Sequence, residues 1–598
     1  MSLKEVIAPF SAWARAFQKP FTVPQADTYR PGADRYRGWH QNDVEKCIGC
    51  GTCADICQNA AIDMKVVDDP VKGDSGLRPM VDYGRCCWCA LCVDVCPSGS
   101  LTMSNEYVWI DRDPDVFRYI PGVDTKDWDN DEKGWRQDPG YNITVPERVP
   151  MPMLPEEERI QTWAEVVIGY SEEEARREAA RCVECGLCVA ACPAHMHIPD
   201  YIAAIRDGDY AKAVNIIYDS NPLPEMCGKV CTRRCEDVCA IGVNGDPLAI
   251  RWLKRFATER FDDMDAVLDR NQPQIGVGKR IAIIGGGPGG LTAAFYLAIR
   301  GFAVDVFEAL PQVGGATWFG IPKYRFPMPS LEKQVKLLTD RGVNIHTNHR
   351  VDAGEFARLQ AEYDAVYIGT GLMKPSALRA EGEDLPGVMF ALQLLIDHHL
   401  GKKIDIGEKV VVVGGGNVAI DAARISRRLG ADVTIAYRRR EVDMPADDEE
   451  IEDSAAEGVE LITQNIPLRV EKLANGRLDF VWGPAEMVAA NGGRPRPKLI
   501  EGIENHLEVD RVIVAIGQKP DLSWLPQATA EAITNSWGGI DCDANGMTHV
   551  PGVFAGGDLV NDTADAISAI ADGLKAVDGI INYLGVTEQP AVQTLEIA

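Results

Sequence analysis

Sixteen of the eighteen cysteines in this 598-residue chain fall into two tandem arrays, and their spacing limits what the chain can fold into more than any other feature. The first array runs Cys47, Cys50, Cys53, Cys57 and then Cys86, Cys89, Cys92, Cys96, followed by Pro97. The second runs Cys182, Cys185, Cys188, Cys192 with Pro193, and then Cys227, Cys231, Cys235, Cys239. Three thiols at x2 spacing with a fourth at x3 is the ligand order of a [4Fe-4S] cubane. A zinc site instead brings two C-x2-C pairs separated by a dozen or more residues. Disulfides are disfavoured because the opening MSLKEVIAPFSAWARAFQKP lacks the apolar core and cleavage site of a secretory signal, so a reducing cytoplasm is expected. Cys87 and Cys542 are left over and read as packed bystanders.

The first array resembles the bacterial two-cluster ferredoxin run, in which each fourth cysteine serves the other cluster. That resemblance implies one cluster on Cys47, Cys50, Cys53 and Cys96 and a second on Cys57, Cys86, Cys89 and Cys92. Gln58 stands where the run usually has proline. The second half of the other array has x3 spacing throughout, which places successive thiolates about one turn apart if the segment is helical. Four [4Fe-4S] clusters are expected in all.

The remaining composition sets outer bounds. A 46% hydrophobic content is ample for several cores, and the length predicts a multidomain protein. The formal charge of −28 argues against nucleic acid, since phosphate binding needs a basic face. Ile281 to Ile299 is apolar and uncharged, but its glycine run marks strand, turn and helix rather than a membrane span. Along the chain we expect an N-terminal arm (1–40), an α+β two-cluster ferredoxin-like domain (41–105) and an extended surface linker rich in Asp, Pro and Trp (106–158). An all-α iron–sulfur domain follows (159–277), opened by a capping box of Ser171 and Glu174 that starts the helix leading to Cys182.

Two glycine-rich loops then appear. Arg280-Ile-Ala-Ile-Ile feeds Gly285, Gly287 and Gly290, the strand, tight turn and helix start that hold a pyrophosphate. Glu308 ends the next strand and is placed to bind a ribose 2′-hydroxyl, as in FAD. A second strand and loop, Lys409 through Gly414, Gly416, Asn417 and Ala419, repeats the pattern. Twenty-three residues from Gly285 reaches Glu308; the same count from Gly414 reaches Tyr437, followed by Arg438 and Arg439. Arginines pair with a 2′-phosphate where a carboxylate repels it, so NADPH is expected over NADH at this site, with NADH possible. A solvated basic face is the alternative reading of that run.

From about residue 160 to 590 these motifs together resemble the small subunit of NADPH-dependent glutamate synthase, a module also found at the start of dihydropyrimidine dehydrogenase. The resemblance implies Cys182, Cys185, Cys188 and Cys239 on one cluster and Cys192, Cys231 and Cys235 on another. Its fourth ligand in some members is a Glu or Gln about fifteen residues downstream, where this chain has only Arg251 to Phe256, so Cys227 is the candidate. The segments around Gly371 (VYIGTG) and Asp558 (VFAGGD) are similar to further flavin signatures, which implies Asp558 at the ribityl chain and a helix from near Thr563 aimed at the flavin ring. Tyr437, Arg438, Arg439 and Met444-Pro-Ala match the family's nucleotide site. The implied architecture interleaves two α/β Rossmann-like domains, one binding FAD (278–373 and 510–598) and one binding NAD(P)H (374–509), with crossings near Gly371 and Gly517. No protein acid or base is needed for transfer between nicotinamide and flavin, so no catalytic residue is assigned.

Three readings follow for function. The first is a cytoplasmic NAD(P)H-linked electron-transfer subunit, in a hetero-oligomeric complex with a catalytic oxidoreductase subunit or a ferredoxin, in either direction of flow. The second is a self-contained small-molecule oxidoreductase, although no pyrimidine-binding barrel is expected from these motifs, or else a glutamate-synthase-type small subunit. The third is a non-enzymatic scaffold, disfavoured by the intact nucleotide loops. The added N-terminal array departs from the family's small subunit and suggests a different partner.

Overall fold

The computed structural model describes residues 13, 17–18, 32–69, 74–138, 145–243, 245–268, 276–489, 494–561 and 563–586. Most of the expected N-terminal arm, and residues 587–598, lie outside them. The chain divides into two units, 1–146 and 147–598.

The first unit has five short strands: β1 (His40–Asn42), β2 (Ile62–Val66), β3 (Leu77–Asp82), β4 (Leu101–Met103) and β5 (Arg118–Tyr119). β1 pairs antiparallel with β4, and β3 lies between β2 and β5. One-turn helices, Thr52–Asp55 and Leu91–Asp94, carry Cys53 and Cys92. The segment read as a surface linker behaves differently from that expectation. Tyr119 and Trp128 are buried, and Trp109, Phe117 and Trp135 pack against the same core as Trp39 and Tyr83. Rings this large bury too much apolar area to stay on the surface once a partner face exists. Tyr119 donates a hydrogen bond to Asp129 at 2.6 Å, which fixes one end of the wrap.

The second unit opens with helices Glu172–Ala179, Ile198–Asp207, Tyr210–Tyr218, Pro224–Val230 and Ile250–Glu259. The capping box is present, with the Glu174 backbone donating to Ser171 Oγ at 3.3 Å and the Ser171 backbone donating to Glu174 Oε2 at 2.8 Å. These helices share a continuous core with the flavin half through Tyr218 and Phe295, and Tyr296 donates to the Tyr218 carbonyl at 2.7 Å. The x3-spaced cysteines do not ride on one helix. The helix Pro224–Val230 stops at Cys231, which is extended, and a four-residue turn of helix, Arg234–Asp237, restarts after Arg233 in the left-handed region. A single helix would aim all four thiols one way, whereas the break lets Cys239 face a different group from Cys231 and Cys235.

The rest is two parallel sheets. β6 (Arg280–Ile284), β7 (Ala303–Phe307), β8 (Asn344–His346) and β9 (Ala365–Ile368) begin the first, and β10 (Lys374–Pro375) leaves it. β11 (Val388–Phe390), β12 (Lys409–Val413), β13 (Asp432–Ala436) and β14 (Glu460–Ile462) belong to the second. An antiparallel layer follows, β15 (Asn465–Lys472), β16 (Leu478–Val488), β17 (Arg496–Leu499) and β18 (Asn505–Val509). β19 (Arg511–Val514) completes the second sheet in the order β11-β19-β12-β13-β14. β20 (Gln518–Lys519) pairs with β10 to form the crossing, and β21 (Val553–Ala555) returns to give β21-β9-β6-β7-β8. The crossing lies a few residues after the boundary expected at 510. The strand Arg511–Val514 pairs with β12 in parallel, with Val512, Ile513 and Val514 buried, so it belongs to the nucleotide half, and the chain crosses only after it.

Candidate redox centres and nucleotide sites

Each C-x2-C-x2-C run folds by the same local device. The residue just before its second cysteine and the residue just after it both adopt the left-handed conformation: Gly49 and Gly51, Trp88 and Ala90, Glu184 and Gly186. A short helix then delivers the third cysteine. The left-handed turn costs a non-glycine residue roughly 1–2 kcal/mol, so Trp88, Ala90 and Glu184 hold conformations that their surroundings must impose. The turn curls the backbone around the thiols and aims amides at sulfur. Trp88 N–H points to Cys86 Sγ at 3.4 Å, Glu184 N–H to Cys182 Sγ at 3.4 Å, Ala61 N–H to Cys57 Sγ at 3.3 Å and Leu248 N–H to Cys239 Sγ at 3.4 Å. Amides directed at thiolate sulfur are what an anionic iron–sulfur cluster requires, so the residues present fit such a group.

Thiols from the two halves of each array lie close enough to act on one another electrostatically. The thiols acting on Cys53 are those of Cys50, Cys92, Cys96 and Cys47, while those acting on Cys92 are Cys86, Cys89 and Cys57. Cys188 is surrounded by Cys185, Cys182 and Cys239. Cys235 has Cys231 and Cys192 beside it, and Cys227 has Cys231 and Cys192. Burial pushes the Cys182 and Cys227 thiols up to about 12 and Cys86 up to about 11. Cys227, fully buried on the helix Pro224–Val230, is thus brought to the Cys192, Cys231 and Cys235 group. Lys254, invisible to motif reasoning, lies among the same four cysteines with 5% exposure. Burial disfavours its ammonium, but those thiols outweigh the penalty and hold its pKa above the usual lysine value.

His40 is a second residue that spacing could not reveal. It is buried on β1, its Nδ1 lies 3.1 Å from the Tyr83 hydroxyl and its Nε2 lies 3.4 Å from Cys92 Sγ. His40, Cys57, Cys86, Cys89 and Cys92 line one cavity.

A cavity of the second unit is lined by Gly285, Gly287, Glu308, Gly371 and Asp558 from the flavin half, and by Asn417, Val418 and Asp421 from the nucleotide half. A Cβ on Gly290 would lie 2.1 Å from the Gly285 carbonyl, and one on Gly285, at φ 104°, would lie 2.5 Å from that of Gly369. Strand, turn and helix start can therefore pack this closely only with glycine at these positions. The helices Pro288–Ile299 and Asn417–Arg428 start at Gly287 and Gly416 with no side-chain cap, leaving their amides open to an anion. Thr370 Oγ1 is buried in the wall of this cavity with no protein hydrogen-bond partner. This cradle fits a bound dinucleotide such as FAD. The helix expected near Thr563 begins at Ala566, capped by Asp565, whose side chain accepts from Ser568 N–H at 2.8 Å.

Glu308 accepts hydrogen bonds from Gly286 N–H at 2.9 Å and Leu310 N–H at 2.8 Å. Burial raises its pKa, and those amides oppose the rise. In the second half Tyr437 takes the corresponding place; its ring packs where a Cβ on Gly415 would lie 2.4 Å away, and its hydroxyl donates to the Asp443 carbonyl at 2.7 Å. Gly414 would carry a Cβ 2.2 Å from the Ala515 carbonyl, and Ala419 is buried in the helix that follows. Arg440 pairs with Asp443 at 2.8 Å and Arg439 donates through Nε to the Pro495 carbonyl at 2.8 Å. Arg438 is exposed and makes no ion pair among the described residues. These arginines do not line the cavity that holds Gly285, Glu308 and Asn417.

Three family models match the chain: a 4Fe-4S dicluster domain at 46–100, the 4Fe-4S domain II of dihydropyrimidine dehydrogenase at 159–266, and the pyridine nucleotide-disulphide oxidoreductase family at 279–573. The NADP(+)-dependent formate dehydrogenase subunit beta of Moorella thermoacetica is 37% identical over 444 residues, covering 66% of this chain and 60% of that protein. The NADPH-Fe(3+) oxidoreductase subunit beta of Geobacter sulfurreducens is 35% identical over 430 residues, covering 66% of this chain and 63% of that protein. The chain thus spans less than two thirds of the length of either. The glutamate synthase [NADPH] small chain of Escherichia coli is 33% identical over 474 residues, covering 75% of this chain and 99% of that protein. Match along nearly the whole of that relative, in a chain that carries the cluster motifs and both nucleotide loops, means that this protein belongs to the glutamate synthase small-chain family of iron–sulfur flavoprotein oxidoreductases.

Proposed function

We propose that this chain is the electron-transfer subunit of a larger oxidoreductase, carrying electrons between NADPH and a partner protein through FAD and four [4Fe-4S] clusters. The observation that carries the reading is the wall of the dinucleotide cavity: Val230 and Thr232, the two neighbours of Cys231, line it together with Gly285, Gly371 and Asp558. One cluster group therefore abuts the flavin site directly. When bound, FAD exchanges an electron pair with NADPH and single electrons with the clusters.

The chain's own residues bind and orient. In this reading Gly285, Gly287, Gly290 and Glu308 hold the flavin nucleotide, with Gly371 and Asp558 beside the ring and ribityl chain. Gly414, Gly416, Asn417 and Ala419 hold the pyrophosphate of NADPH, and Arg438 and Arg439 meet its 2′-phosphate. The ligand groups are Cys47, Cys50, Cys53 and Cys96; Cys57, Cys86, Cys89 and Cys92; Cys182, Cys185, Cys188 and Cys239; and Cys192, Cys227, Cys231 and Cys235. Support for a partner comes from the relatives, which are named as subunits or chains of larger enzymes. No helix among the described residues is long and apolar enough to cross a membrane. Reduced thiols in two arrays fit a cytoplasmic setting.

The test is anaerobic addition of NADPH to the purified holoprotein. Flavin absorbance should bleach and one-electron dyes should be reduced, with no small metabolite consumed. Turnover of an organic substrate by the chain alone would contradict the subunit role.

A further inference from the structure

The hydrogen bonds around His40 fix which of its ring nitrogens carries the proton. His40 backbone N–H donates to the Tyr83 hydroxyl at 2.8 Å, so that oxygen is an acceptor there. The hydroxyl has one proton to give, and its other partner is His40 Nδ1 at 3.1 Å. Nδ1 is then an acceptor, and a neutral imidazole must carry its proton on Nε2. Nε2 lies 3.4 Å from Cys92 Sγ. The opposite tautomer would leave the Tyr83 proton without an acceptor and turn a bare nitrogen lone pair toward a thiolate.

The surroundings hold this arrangement in place. His40 is 1% exposed and Tyr83 is 6% exposed. Tyr83 is pinned edge-on by Trp39 at 4.7 Å between ring centroids and stacked on Trp88, which lies between Cys86 and Cys89, at 5.9 Å. β1 keeps His40 in register opposite Met103 of β4. The cavity that His40 shares with Cys57, Cys86, Cys89 and Cys92 is where the corresponding cluster fits.

We propose that His40, oriented by Tyr83, is a positioning residue that donates an Nε2–H hydrogen bond to the Cys92 thiolate and raises the reduction potential of the cluster held by Cys57, Cys86, Cys89 and Cys92. The inference rests on the ligand grouping given above. A donor aimed at a ligand sulfur favours the more negative, reduced state. Cys89 of the same group is exposed, which brings this cluster to the surface of the first unit. An electron held there by His40 is at a surface from which a partner can take it.

The test is a redox titration of the full holoprotein, followed by paramagnetic resonance, for the parent, His40→Leu, His40→Gln and Tyr83→Phe. His40→Leu should lower the reduced-to-oxidised ratio of one cluster at fixed ambient potential by about three- to tenfold, tenfold being ~59 mV for one electron. The other clusters should titrate unchanged. His40→Gln, whose amide can still donate, should restore most of the ratio, and Tyr83→Phe should shift it less than His40→Leu does. If His40→Leu fails to assemble the cluster, Tyr83→Phe carries the comparison: it should lower the ratio measurably, and a potential equal to the parent's would overturn the proposal. A full iron complement with an unshifted potential in His40→Leu overturns the role of His40 alone. Iron near eight per parent chain that stays unchanged in Cys86→Ala would remove the first array's clusters and overturn the ligand grouping with it.

Discussion

Arg325 of the flavin half reaches Asp421 of the nucleotide half at 2.7 Å, and both side chains line the dinucleotide cavity. Arg325 also pairs with Glu450 at 2.8 Å, and Arg424 joins Glu450 to Glu457 in the same buried network. Removing one member of such a pair leaves an uncompensated charge. Arg325→Ala should therefore destabilise the second unit by about 3–5 kcal/mol, read as a shift in the denaturant midpoint. Replacing Arg325 and Asp421 together by apolar residues of similar size should recover part of that loss. A single variant as stable as the parent would mean that the pair does not hold the two halves together.

Nucleotide choice rests on the contrast between Glu308 and Arg438. NADPH should reduce the flavin more efficiently than NADH, and replacing Arg438 and Arg439 by apolar residues should narrow the gap. Each charge-assisted hydrogen bond to the 2′-phosphate is worth about 1.5–3 kcal/mol. Steady-state kcat/KM for both nucleotides measures it, and equal values in the parent would contradict the assignment.

The cluster arrays were legible from sequence because iron chemistry demands thiolates at fixed spacing, and the two loops because only glycine lets a backbone reach a phosphate. What the sequence hid depends on packing between distant segments. Trp109, Tyr119 and Trp128 sit in a stretch of Asp and Pro whose composition suggests a linker, yet the rings find a core built by Trp39 and Tyr83. His40 precedes the first cysteine and meets Cys92 only because β1 pairs with β4. Lys254 falls among four cysteines from two separate segments, which no local periodicity records. The strand Arg511–Val514 carries an apolar run that suits either sheet, and only its pairing with β12 assigns it.

Asp558 gives a dependence on pH. Burial, then the neighbouring carboxylates of Asp565 and Asp572, push its carboxyl up to about 6. An unfolded aspartate titrates near about 3.9, so between there and 6 the folded state binds the proton more tightly. The ionised carboxylate thus costs stability that sets in as pH rises through that window and is complete above it. Flavin-free Asp558→Asn should melt above the parent at pH 7.5, by no more than about 3 kcal/mol, and the gap should close by pH 4. A gap that does not change with pH would contradict this account.

Cys227 carries the fourth-ligand assignment. Cys227→Ala should lose or convert one cluster, seen as about four fewer irons from a parent near sixteen, or as an altered paramagnetic spectrum. An unchanged spectrum would point to an oxygen ligand and remove Cys227 from the group.

The central claim is that electrons travel between NADPH and a partner by way of the N-terminal clusters. Its most direct test is NADPH-dependent electron delivery to the protein that co-purifies with this chain from its native host, comparing the full chain with one beginning at Glu147. Flavin bleaching by NADPH should be the same in both, while delivery to the partner should be lost in the shortened chain. Full-rate delivery without residues 1–146 would contradict the account.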